Sequence, residues 1–158
     1  MKKIAVQLHK DRTLSGILQI LDLSGGFILG PFTCLGKADG GDAKLHGNPE
    51  RNPVLPFGDT PTGKYNVVQL VSHSGGESDL HTYGSFPSVL LDPISGDALK
   101  AKKNGRAGLM IHGGGPSASG RLRPTHGCIR LSEANQRDLV SLVVQSVLSE
   151  ISVVVTEG

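Results

Sequence analysis

Thr125-His126-Gly127-Cys128-Ile129-Arg130-Leu131, with His112 upstream, is the stretch whose reading decides the fold. It gathers two imidazoles and one of the chain's two cysteines between residues 112 and 131, among glycines. A thiol attacks a carbonyl as its thiolate, and imidazole is the side chain suited to take that proton near neutral pH. Glycine beside the sulfur leaves room for a substrate carbonyl and lets backbone N–H groups point at it. These are the parts of nucleophilic acyl transfer by a cysteine. Their order narrows the architecture. Papain-like thiol enzymes carry the cysteine first and the histidine far downstream. Here His112 precedes Cys128, so a different fold must bring them together.

Other chemistries fit these residues less well. A lone cysteine is commonly a small buried hydrophobe. Cys34, inside Phe32-Thr33-Cys34-Leu35, reads that way, whereas Cys128 has His126 two positions before it, Gly127 beside it and the polar Thr125 nearby. In an extended segment His126 and Cys128 would project from one face. Two histidines and a thiolate could also hold zinc, but the spacing matches no usual metal pattern and no fourth ligand stands out. The expected metal and cofactor complement is none. No G-x-S-x-G elbow is present, and Gly113-Gly114-Gly115 lacks the lysine and following helix of a phosphate loop.

Bulk properties agree. The 158 residues suit one domain, 1–158, with a core of its own. A net charge of +2 and few aromatics give no electrostatic or stacking case for nucleic acid. Two cysteines are too few for a disulfide framework, although one bridge between them stays open from sequence. The start, Met1-Lys2-Lys3-Ile4-Ala5-Val6-Gln7-Leu8-His9-Lys10, resembles a secretion signal until Gln7 and His9 break the apolar run. No segment is long and apolar enough to insert in a membrane. The expectation is a chain without its own export signal.

The first third alternates short apolar runs, Ile4 to Leu8, Ile17 to Leu21 and Phe27 to Leu29, with turn signals such as Ser24-Gly25-Gly26. Residues 36 to 63 read as a long glycine- and proline-rich loop, and Asp59-Thr60-Pro61-Thr62-Gly63 as a turn into a strand from Lys64 to Val71. A second loop, 72 to 88, precedes short strands at Val89 to Leu91 and Leu109 to Ile111. The one helix expected follows Ser132 as N-cap, with Glu133 suited to its positive end. Its apolar stripe is Leu139, Leu142, Val143 and Val147. Ile151 to Val155 reads as a last strand buried on both faces. Lys100, Lys102, Lys103 and Arg106 form a modest basic cluster.

At the cysteine motif the chain resembles the L,D-transpeptidase catalytic domain of the YkuD type. The family pattern is a His-Gly or His-Ser, a glycine-bearing spacer, then Ser/Thr-His-Gly-Cys, an apolar residue and Arg or Asn. His112-Gly113 and Thr125-His126-Gly127-Cys128-Ile129-Arg130 supply those parts. Thr33-Cys34-Leu35-Gly36-Lys37, Thr60-Pro61-Thr62-Gly63-Lys64-Tyr65 and the closing helix and strand extend the similarity. The resemblance implies a mainly β, sandwich-like fold with one C-terminal helix packed on the sheet. It implies cysteine-dependent acyl transfer on peptidoglycan stem peptides, by L,D-transpeptidation, L,D-carboxypeptidation or both, in the periplasm or cell wall. Cys128 is then the nucleophile, His112 the base held by the carbonyl of Gly113, and His126 a supporting member. From the residues alone, His112 and His126 are interchangeable as base. Backbone N–H groups around Gly127 would hold the oxyanion, Arg130 would hold the site together or meet a substrate carboxylate, and Tyr83, as a wall of the cleft, and Thr125 are candidate substrate contacts. A carbapenem β-lactam adduct on Cys128 is a further implication. Two alternatives keep the fold: an antibacterial effector with the same chemistry, and a wall-binding module without catalysis.

Overall fold

The computed structural model describes residues 1–38 and 58–158. Strands β1 (Lys2–Leu8), β2 (Gly16–Asp22), β3 (Phe27–Cys34), β4 (Gly63–Val71), β5 (Ser88–Ser95), β6 (Met110–His112), β7 (Ile129–Arg130) and β8 (Ile151–Glu157) form one sheet. Its order is β3-β2-β1-β8-β4-β5-β6-β7. The first hairpins are antiparallel neighbours, as short turns require. The last strand lies parallel to β1 and antiparallel to β4, joining the two halves of the chain.

Period-two burial fixes the register. β1 buries Ile4, Val6 and Leu8, and β8 buries Ile151, Val153 and Val155 directly alongside them. Ser152 and Val154 on the other face of β8 are only half-buried, so the expectation of two fully buried faces is corrected. Leu35 and Arg130 exchange backbone bonds of 3.1 and 2.9 Å. The outer ends of the sheet, β3 and β7, therefore meet, and the sheet curls nearly shut around its core. That core includes Leu18, Ile20, Tyr65, Val89, Ile111 and Ile129.

Helix α3 (Glu133–Val144) is the expected C-terminal helix, and the Ser132 hydroxyl accepts from the Asn135 amide at 3.2 Å. Leu139 and Val143 are buried against the sheet, but the helix stops at Val144, leaving Val147 outside it and 59% exposed. Two shorter helices were not legible. α1 (Glu77–Thr82) lies within the expected loop 72–88 and buries no residue, so it leaves no apolar period. α2 (Gly96–Lys103) carries most of the basic cluster and is anchored by Ala98 and Ala101 alone. Two small side chains are too weak a stripe to read. The expected loop of residues 36 to 63 falls mostly on residues 39–57, outside the described residues.

Candidate active site

β6 and β7 are parallel neighbours, with Ile111 opposite Ile129 and His112 opposite Arg130. Cys128 immediately precedes β7, so this one pairing brings the histidine and the thiol to the same end of the sheet. A cleft of about 620 Å³ opens there, lined by Tyr83, Arg106, Met110, His112, His126 and Cys128 among others. Both cysteines are free, which closes the question of a bridge between them. Cys34 is fully buried in the core, and burial pushes its thiol up to about 12.

The segment before the sulfur is a bend, not the extended strand the sequence led us to expect. Gly127 has φ +112°, and a Cβ there would come within 2.5 Å of Arg106 Nη2 and 2.7 Å of the Gly58 carbonyl. Only glycine meets both demands without strain. The Thr125 hydroxyl clips the bend from inside, accepting from the Gly127 amide at 3.0 Å and donating to the Cys128 carbonyl at 2.7 Å. Thr125 is 6% exposed and also lines the cleft. The Gly127 amide is engaged within the loop, which narrows the expected set of oxyanion donors. Thr60 Oγ1 donates to the Gly127 carbonyl at 2.7 Å from the turn before β4. His126 is exposed at the cleft.

His112 is 2% exposed, and its Nδ1 lies 2.8 Å from the Gly113 carbonyl. That contact places the N–H on Nδ1 and leaves Nε2 as the basic nitrogen. Burial, only partly opposed by the bond to Gly113, lowers the imidazole to about 4; Arg130, His73 and Arg123 push in the same direction. Burial also raises the Cys128 thiol, while the Met110 backbone amide, Arg130 and Arg106 pull it back down. Burial thus favours the neutral form of each of these two cleft-lining groups.

Arg130 is 2% exposed and directs its guanidinium at backbone carbonyls: Nε to Arg123 at 2.8 Å, and Nη1 to Thr82 at 3.1 Å and to Gly113. The Gly115 amide bonds the His81 carbonyl at 3.0 Å, and Arg123 reaches the carbonyls of Gly115 and His81. These bonds stitch the loop after His112 to the end of α1. They set Tyr83 against His112, with ring centroids 5.2 Å apart at 75°. Tyr83 is among the residues that line the cleft.

The family model of the L,D-transpeptidase catalytic domain, YkuD, matches residues 45–154. The chain belongs to the L,D-transpeptidase catalytic domain family. Two solved structures agree in fold. The Bdellovibrio bacteriovorus protein Bd1075 is 16% identical with a TM-score of 0.52, over 96% of this chain and 46% of that one. An L,D-transpeptidase from Mycobacterium tuberculosis H37Rv is 17% identical with a TM-score of 0.50, over 99% and 57%. A third neighbour, an L,D-transpeptidase solved in complex with imipenem, is 14% identical with a TM-score of 0.45, over 98% and 58%. The chain spans about half the length of these structures. A search of curated proteins gives no match.

Several residues that shape this candidate site carried no signal of that role in the sequence. Glu133, read as a helix-start charge, bridges the Gly114 amide at 3.1 Å and the Ser85 amide at 2.9 Å. Gln136 is fully buried and donates to the carbonyls of Ile111 and Pro87 at 3.0 and 2.9 Å, pinning the residue before His112. Arg106, read as part of a basic cluster, faces the cleft and holds the Gly58 carbonyl at 2.9 Å. Thr60 was visible inside the Thr-Pro-x-Gly turn, but its bond to Gly127 was not. The motif supplied the signal; the partner came from the fold.

Proposed function

We propose that residues 1–158 act as one catalytic unit, a cysteine acyltransferase working on peptidoglycan stem peptides through a thioester on Cys128. The observation that carries this reading is His112. It is buried in the Cys128 cleft with Nδ1 bound to the Gly113 carbonyl, in a chain of the L,D-transpeptidase family. Nε2 of a neutral imidazole is then the acceptor for the thiol proton, and the exposed His126 supports the site from the cleft side.

Cys128 Sγ attacks the carbonyl of the third stem-peptide residue as its proton passes to His112 Nε2. Burial favours the neutral form of both groups, so proton transfer accompanies attack instead of preceding it. The Met110 amide and the Arg106 and Arg130 charges favour the sulfur as it becomes anionic. The oxyanion is held by backbone amides around Cys128 other than that of Gly127. The intermediate collapses with cleavage of the C–N bond, and His112 returns the proton to the departing D-alanine amine. An acceptor amine then attacks the thioester, losing a proton to His112, which reprotonates sulfur as the C–S bond breaks. The product is a crosslink; water in place of the amine gives a trimmed stem. Arg106, in the cleft beside the nucleophile loop, suits the carboxylate of the departing residue better than the buried Arg130 does.

Incubation with purified muropeptides, read by mass spectrometry, tests the proposal. Loss of D-alanine or a new crosslink, absent in Cys128→Ala, is the expected result. The same chemistry predicts a carbapenem adduct on Cys128. Identical product profiles for wild type and Cys128→Ala would refute the proposal and leave a wall-binding module as the reading.

A further inference from the structure

We infer that His73 is a positioning residue for His112, acting through Tyr83. His73 sits just beyond β4, 39 positions before His112 in a segment with no chemistry assigned to it. Its ring stacks on Tyr83 with centroids 4.0 Å apart and planes within 3° of parallel. Its Nε2 lies 2.7 Å from the hydroxyl of Ser88, which is fully buried at the start of β5. Tyr83 also meets His112 edge to face. Ser88, His73, Tyr83 and His112 thus form one row running from the sheet interior to the proposed base.

The row has a mechanical reason. The bond from His112 Nδ1 to the Gly113 carbonyl fixes one direction of the imidazole but leaves the ring free to swing about that direction. A second contact, at 75° to the ring plane, restrains the swing. Tyr83 provides it, yet Tyr83 is itself half-exposed at the end of a six-residue helix that buries nothing. Without a backing surface its ring could turn out toward the cleft. His73 supplies that surface, and the Ser88 hydroxyl sets the plane of His73. A parallel stack of two rings and an edge-to-face contact are both favoured aromatic geometries. The role rests on the reading of His112 as the base for Cys128, and it is separate from the identity of the substrate.

The test uses the intact chain and the variants His73→Ala and His73→Phe, with His112→Asn setting the floor. Steady-state turnover of muropeptides is measured together with the rate of Cys128 alkylation by iodoacetamide near neutral pH. Alkylation reads Cys128, since Cys34 is fully buried. His73→Ala should lower kcat about tenfold with KM unchanged, as misplacement of a catalytic group does, and should slow alkylation in parallel. His73→Phe restores a flat stacking face and should recover most of both rates. Unchanged kcat and alkylation in His73→Ala would overturn the inference. So would equal losses in His73→Ala and His73→Phe accompanied by equal falls in melting temperature. If wild type leaves muropeptides untouched while alkylation still falls in His73→Ala and recovers in His73→Phe, the substrate reading fails and the positioning role stands.

Discussion

Acid should destabilise this protein through His112. The imidazole is buried neutral, and its pKa falls from 6.5 in the unfolded chain to about 4 in the fold. A depressed pKa means that the unfolded chain binds the proton more tightly. Its contribution to stability is therefore fully present above about pH 6.5 and is lost as pH falls toward 4. At 1.36 kcal/mol per pH unit, that depression corresponds to about 3 kcal/mol. His112 is 2% exposed, so solvent screening takes little from the figure. A domain of this size has about 5–15 kcal/mol in total, so the loss is measurable. Urea unfolding at steps from about pH 7 to about pH 4.5 should show wild type losing about 2–3 kcal/mol. Stopping there keeps out Asp22 and Asp79, whose lowered carboxyl pKa values, set first by hydrogen bonds from Ser24 and Ser74, destabilise only in stronger acid. His112→Asn removes the titrating group and keeps an amide donor for the Gly113 carbonyl. The wild-type minus variant difference should carry the slope. Parallel curves for the two proteins would refute the reasoning.

Three further outcomes follow from the same geometry. The acid limb of kcat/KM should lie near pH 4, where His112 protonates in the free enzyme, with no alkaline fall until the raised thiol ionises above its ordinary range; pH–rate profiles with a muropeptide donor check this. Gly127→Ala should cost about 1–3 kcal/mol of stability and most of the activity, because a side chain at φ +112° meets Arg106 and Gly58; thermal melts and thiol labelling read both. Glu133→Ala should cost about 1.5–3 kcal/mol in urea unfolding and lower kcat, since the Gly114 and Ser85 amides lose their shared carboxylate, and Glu133→Gln should lose less.

Much of the frame was legible because it is local. The apolar alternation of Ile4, Val6 and Leu8 and of Ile151, Val153 and Val155 makes strands wherever those segments go, and Ser132 starts a helix by its own hydroxyl. α1 and α2 escaped because they bury nothing or only two alanines, so their sequences carry no period. The motif residues were legible as a set, since the order of His112 and Cys128 is written in the chain. Their individual roles were less so. The bonds that Thr125 makes within its bend, and the three carbonyls that Arg130 holds, depend on which backbone groups the fold leaves nearby.

By itself the sequence determined the thiol, the two imidazoles, the glycine that permits the bend and the family to which they belong. Side-chain chemistry and backbone permissiveness are properties of single residues and survive any fold. The tertiary structure gave the two imidazoles different surroundings. Pairing β6 with β7 buried His112 against the Gly113 carbonyl and left His126 exposed. It also drew in Glu133, Gln136, Thr60, Arg106 and the row from Ser88 through His73 and Tyr83. Burial, hydrogen-bond reach and ring stacking are relations between residues far apart in the chain, and only closure of the sheet brings those residues within range.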